Sequence, residues 1–90
     1  MLNPSERKAL KARAHKLEPV VIIGSKGLTD EVVKELDLAL KAHELIKVRA
    51  PGLERDMREA VLSEIVSRTA SEPVQTIGKV FVIYRKRDEA

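Results

Sequence analysis

Cysteine is absent from the sequence, which excludes disulfide frameworks, thiolate metal sites and cysteine nucleophiles. The same absence fits a reducing compartment, and a cytoplasmic location is expected. Tryptophan is absent too, and Phe81 and Tyr84 are the only aromatic residues, so recognition by several stacked rings lacks material. No apolar run reaches the roughly 18 residues of a membrane span, and residues 1–8 lack the apolar centre of a secretion signal. No membrane partner is expected. Repeats, low-complexity tracts and long linkers are also missing. Ninety residues then make one domain, with a core of about residues 4–85 and a tail at 86–90.

What the chain does have is charge, sorted by position. Hydrophobic residues make up 43% and charged residues 34%, as in a soluble globular domain, and the net charge is only +3. Residues 1–28 carry +4, residues 29–44 carry −3, and Lys47 and Arg49 follow. A local field, rather than the total, attracts a polyanion, so this segregation says more about partners than the net value.

Local signals divide the chain into seven elements. Asn3 or Ser5 can cap a first helix that has Pro4 in its first turn. Leu10, Ala14 and Leu17 form a narrow apolar stripe on it, with Arg7, Lys8, Lys11 and His15 in an arc beside the stripe. Pro19 stops the helix, and Val20-Val21-Ile22-Ile23 reads as a strand buried on both faces. Thr29 caps a second helix with Asp30 and Glu31 in its first turn, where the helix dipole favours acids. Its inward face holds Val32, Val33, Leu36, Ala39 and Leu40, and His43 is expected half-buried on the same face.

Leu45-Ile46-Lys47-Val48-Arg49 reads as a second strand ending at Pro51-Gly52. A third helix is predicted from about Leu53 to Thr69, with Met57, Val61, Leu62 and Ile65 inward. Val74–Ile77 and Val80–Tyr84 flank Gly78-Lys79, the two-residue loop of a type II′ hairpin. The predicted fold is α/β, in the order α-β-α-β-α-β-β. Its first two strands are parallel and its last two antiparallel, in a mixed four-stranded sheet packed with helices.

Gly24-Ser25-Lys26-Gly27, between a strand and a capped helix, is the most chemically pointed segment. Glycines let backbone and ligand approach closely, helix-start N–H groups favour an anion, and Lys26 adds a mobile charge. Ser25 can donate a hydrogen bond to the same group. The plain alternative is a tight turn with no ligand. Neither G-x-G-x-x-G nor G-x-x-x-x-G-K-[ST] occurs. A Gly-x-x-Gly loop clamps nucleic-acid backbone in the KH module, but there it joins two helices.

From Leu17 to Thr29, then through Val32-Val33, Ala39-Leu40 and His43–Val48, the chain resembles the CRM (chloroplast RNA splicing and ribosome maturation) domain. Gln75–Val80 with Tyr84-Arg85 resembles that domain's closing hairpin, and the likeness spans about residues 4–85. It implies a fold similar to the C-terminal domain of bacterial translation initiation factor three. It also implies RNA binding during assembly of the large ribosomal subunit, on precursor ribosomal RNA, with ribosomal proteins as further partners. In that family the glycine loop and adjoining basic residues are held to contact RNA, which maps here to Gly24, Ser25, Lys26 and Gly27. Ser25 stands where many relatives carry a basic residue.

Further candidates are Arg7, Lys8 and Lys11 on the first helix, and Lys47 and Arg49, which share one strand face. Lys79 is explained by turn chemistry, and Arg85-Lys86-Arg87 reads as a frayed tail. His15 and His43 lie 28 positions apart without a suitably spaced carboxylate, and no serine sits in a nucleophile elbow. The expectation is a monomeric, non-enzymatic RNA-binding protein without metal or cofactor. The competing reading is a protein–protein adaptor that docks on a ribosomal protein or assembly enzyme through the second or third helix, where Leu38 and Val66 support it.

Overall fold

The computed structural model describes residues 2–86. A first helix, α1 (Pro4–Ala14), is closed at its N-terminus by a capping box. The Asn3 side chain accepts from the Glu6 N–H at 2.7 Å, and the Glu6 carboxylate accepts from the Asn3 N–H at 3.2 Å. The helix ends earlier than its apolar spacing predicts, at Ala14, so Leu17 lies beyond it and is exposed. Then come β1 (Pro19–Ile22), α2 (Asp30–His43), β2 (Leu45–Arg49), a 3-10 turn (Arg55–Met57), α3 (Arg58–Thr69), β3 (Glu72–Ile77) and β4 (Val80–Tyr84). The 3-10 turn takes the first part of the predicted third helix. Met57 there is exposed instead of facing inward.

The four strands form one mixed sheet in the order β1-β2-β4-β3, with β1 parallel to β2 and both other pairs antiparallel. Gly78 has φ +57, the left-handed value a type II′ turn needs at its first central residue. Alternation along β2 splits the core. Ile46 and Val48 join Leu36, Leu40, Ile65, Phe81 and Ile83 under α2 and α3. Leu45, with Val74 and Val82, packs against Leu10 and Ala14 of α1 on the other face.

Because α1 lies over β2 and β3, it leaves part of its own face of the sheet uncovered. The prediction of a first strand buried on both faces is corrected here. Val21 is buried, but Val20 and Ile22 are 51% and 59% exposed. A β-branched run signals a strand, yet burial on its second face depends on where a distant helix lands. His43 is likewise exposed at the end of α2.

Arg85 corrects a second expectation. It is no frayed tail residue: its guanidinium donates to Asp37 Oδ1 at 2.7 Å, to the Thr69 carbonyl at 2.8 Å and to the Asp37 carbonyl at 3.1 Å. Its backbone N–H also donates to the Glu44 carbonyl at 2.9 Å. One side chain thus ties the end of β4 to α2 and α3. The hydrogen bond from Arg85 holds the Asp37 carboxyl below its ordinary value; burial opposes the shift and Lys41 assists it. Arg87, predicted as part of the same tail, lies outside the described residues.

Candidate nucleic-acid interface

The sequence Gly24-Ser25-Lys26-Gly27 forms a four-residue turn closed by the Gly27 N–H donating to the Gly24 carbonyl at 3.0 Å. Gly27 sits at φ +75, a conformation that L side chains rarely adopt, so glycine is required there by the backbone. The turn is anchored on its far side. The Thr29 N–H donates to the Gly27 carbonyl at 3.1 Å, and Thr29 Oγ1 accepts from the Val32 N–H at 3.2 Å. Arg68, reaching from α3, donates to the Leu28 carbonyl at 3.2 Å and to Asp30 Oδ1 at 2.8 Å.

That anchoring refines where an anion can sit. Thr29 already caps α2, and its first turn carries Asp30 and Glu31, so the helix end is supplied with its own negative charge. The tip of the turn is different. Ser25 and Lys26 are exposed, and neither their N–H groups nor their side chains make a hydrogen bond among the described residues. Two free donors and an ammonium at one exposed tip are the chemical equipment for one phosphate.

Sheet pairing brings other cations to the same end. The Ile23 N–H donates to the Arg49 carbonyl at 2.8 Å, and the Ala50 N–H donates to the Lys79 carbonyl at 2.7 Å. The glycine turn, the end of β2 and the β3–β4 turn are therefore neighbours. Across the strands Ile22, Arg49, Val80 and Ile77 form one row. Arg49 and Lys79 are exposed, and among the described residues the side chains of Lys26, Arg49 and Lys79 form no ion pair.

Lys79, which turn chemistry alone seemed to account for, lies in this group; only antiparallel pairing of β4 with β2 puts it there. Arg68 carries no signal in the sequence, because its partner Asp30 lies 38 positions away.

The remaining candidates are placed apart. Lys47 shares the face of Arg49, one pair further along β2 and half-buried. Lys8 and Lys11 are exposed on α1, whereas Arg7 is half-buried, with an Nε that has no hydrogen-bond partner. The buried residues of α1 pack with Leu45, Val74 and Val82, towards the sheet end opposite the glycine turn. Helix and turn are thus two separate basic regions. The aromatic residues add no stacking platform: Phe81 is fully buried and Tyr84 packs against the α1 cluster.

Of the two residues that could serve an adaptor, Val66 packs against the core, while Leu38 stands 66% exposed. Among the described residues, no three His, Asp or Glu side chains converge to hold a metal, and no helix is long and apolar enough to cross a membrane.

Comparison with known proteins agrees with the sheet order and the length. A model of the CRS1 / YhbY (CRM) domain matches residues 2–85. An RNA-binding protein of Haemophilus influenzae is 43% identical over 89 residues, covering 99% of this chain and 90% of that protein. A protein of Pseudomonas aeruginosa named as a probable RNA-binding protein is 45% identical over 85 residues, covering 94% and 82% of the two chains. The solution structure of a hypothetical protein from Staphylococcus aureus superposes with a TM-score of 0.87 at 34% identity, over 99% of this chain and 93% of the other.

Proposed function

The chain belongs to the CRS1 / YhbY (CRM) domain family, and from that premise we propose that it is an RNA-binding protein that grips phosphate at the Gly24–Gly27 turn. The observation that carries the reading is the tip of this turn. Free Ser25 and Lys26 N–H groups and the Lys26 ammonium stand together, with Arg49 and Lys79 at the same end of the sheet. Lys8 and Lys11 on α1 form a second, weaker attachment region. With no exposed aromatic platform, affinity comes from charge and backbone donors, a mode that fixes position more than sequence.

The family resemblance extends the reading to a ribosome-assembly factor acting in the cytoplasm, as a monomer and without catalysis, on precursor RNA of the large ribosomal subunit. A map of RNA crosslinks in cells tests this part. Crosslinks concentrated on large-subunit precursors support it, and crosslinks spread over unrelated transcripts overturn it.

Binding at the turn is tested with Lys26→Ala. RNA affinity should drop, and the log–log salt slope should become shallower by roughly 0.7–0.9, as expected for one lost phosphate contact. An unchanged affinity across the salt series rejects the turn as the contact. The exposed Leu38 on α2 favours a second reading, an adaptor that docks on a ribosomal protein or assembly enzyme. Co-purified proteins that survive ribonuclease treatment would support that reading.

A further inference from the structure

Between the glycine turn and the turn that follows β2 lies an open cleft of about 280 Å³. Its walls are aliphatic: Ile23 and Leu28 from one side, Ala50, Leu53 and Val61 from the other. Gly24, Ser25 and Gly27 of the glycine turn and Gly52 of the turn after β2 also line it.

Gly24 and Gly52 have backbones outside the left-handed region, and a Cβ on either would meet nothing within 4 Å. Neither backbone geometry nor packing therefore requires glycine at these two positions. Both line the cleft, and at both the space that a side chain would take is open.

Polarity along this part of the surface matches the polarity of a nucleotide. The turn that carries the free donors and Lys26 contributes Gly24, Ser25 and Gly27 to the lining, and the aliphatic side chains lie next to it. The volume falls just under the roughly 300–1,000 Å³ of small-molecule pockets, which suits one ring system and no stack of bases. A base paired within a duplex cannot enter, because its edge and both faces are occupied.

Resting on the RNA-binding reading, we infer that this cleft receives one unpaired nucleobase whose adjoining phosphate is held by the Gly24–Gly27 turn. The ligand is then a single-stranded or bulged RNA segment. The base is held between aliphatic side chains, so the scarcity of aromatic residues presents no obstacle.

The test uses fluorescence anisotropy with the full chain and three probes. These are a short oligouridylate, the same ribose-phosphate strand without bases, and a blunt RNA duplex. The wild-type protein should bind the base-bearing strand roughly tenfold tighter than the abasic strand, a difference equal to one well-placed group. Gly52→Val should bring that ratio close to one while leaving affinity for the abasic strand unchanged, and Gly52→Ala should fall between.

Circular dichroism checks that each variant is folded; should Gly52→Val not fold, Gly52→Ala and the wild-type comparison decide. Equal binding of base-bearing and abasic strands by the wild type overturns the cleft and leaves backbone binding intact. Duplex bound as tightly as the single strand overturns it as well. Absence of binding to all three probes overturns the RNA-binding reading and the cleft together.

Discussion

The two ends of the sheet use the same residue types in opposite ways. At the end where β2 begins and β4 finishes, Arg85 places three hydrogen bonds on Asp37 and Thr69, and its charge is neutralised by a carboxylate at 2.7 Å. At the other end stand Lys26, Arg49 and Lys79, with a glycine turn whose tip donors are also free. A cation that is already paired and desolvated contributes to stability and little to a partner. One that stands in water contributes little to stability and retains its attraction for an anion. The count of basic residues therefore misleads unless each is sorted by what it touches.

Breaking the first end should give the largest effect. Arg85→Ala removes a charge-assisted hydrogen bond to Asp37 and leaves the Thr69 carbonyl without that donor. The expected cost is roughly 2–3 kcal/mol in urea unfolding, with RNA affinity of the folded fraction unchanged. A comparable loss of RNA affinity at saturating fold would erase the distinction between the ends.

The complementary change is the double variant Lys26→Ala with Lys79→Ala. Its salt slope should become shallower by roughly 1.4–1.8 if both side chains meet phosphate, with unfolding free energy within about 0.5 kcal/mol of wild type.

Acid sharpens the contrast further. The folded-state pKa of Asp37 lies below its ordinary value, so the native state holds its proton less readily than the unfolded chain. The stability this supplies is complete above the ordinary carboxylate range and is lost as pH falls through the depressed folded value. Asp37→Asn should be less stable at neutral pH and flatter in that acid window, as read from denaturant midpoints at successive pH values.

The smallest effect belongs to Ala70, which ends α3 in the left-handed region at φ 52, with the Ser71 N–H donating to the Val66 carbonyl at 3.1 Å. Ala70→Gly relieves the Cβ crowding of that conformation and should stabilise by roughly 0.5–1 kcal/mol. It should not alter RNA binding, which makes it a control for changes in stability alone.

Much of the architecture was legible because its causes are local. Thr29 and Asn3 announce helix starts through side chains that accept backbone N–H groups three residues on. Gly78-Lys79 announces a hairpin, and Gly27 adopts the positive φ that its place at the end of a turn calls for. Leu17 and Met57 are missed at helix ends, where fraying and 3-10 geometry are set locally, but the two larger errors share another kind of cause. Val20 and Ile22 look like core residues, but α1 covers a different part of the sheet. Arg85 looks like tail, but its partners lie 16 and 48 positions away.

The sequence by itself determined the element order, the caps and turns, the glycine segment and the separation of positive from negative stretches. Each of these depends on side chains within a few residues of one another, where propensity and short-range hydrogen bonding act. Only the tertiary structure decided which cations are free. Strand order brings Lys79 to Arg49 and the glycine turn, and helix packing draws Arg68 and Arg85 into internal contacts. It also decided that two glycines with no backbone reason to be glycine line one apolar cleft. Charge and shape at a surface are sums over residues distant in sequence, and only the folded chain evaluates those sums.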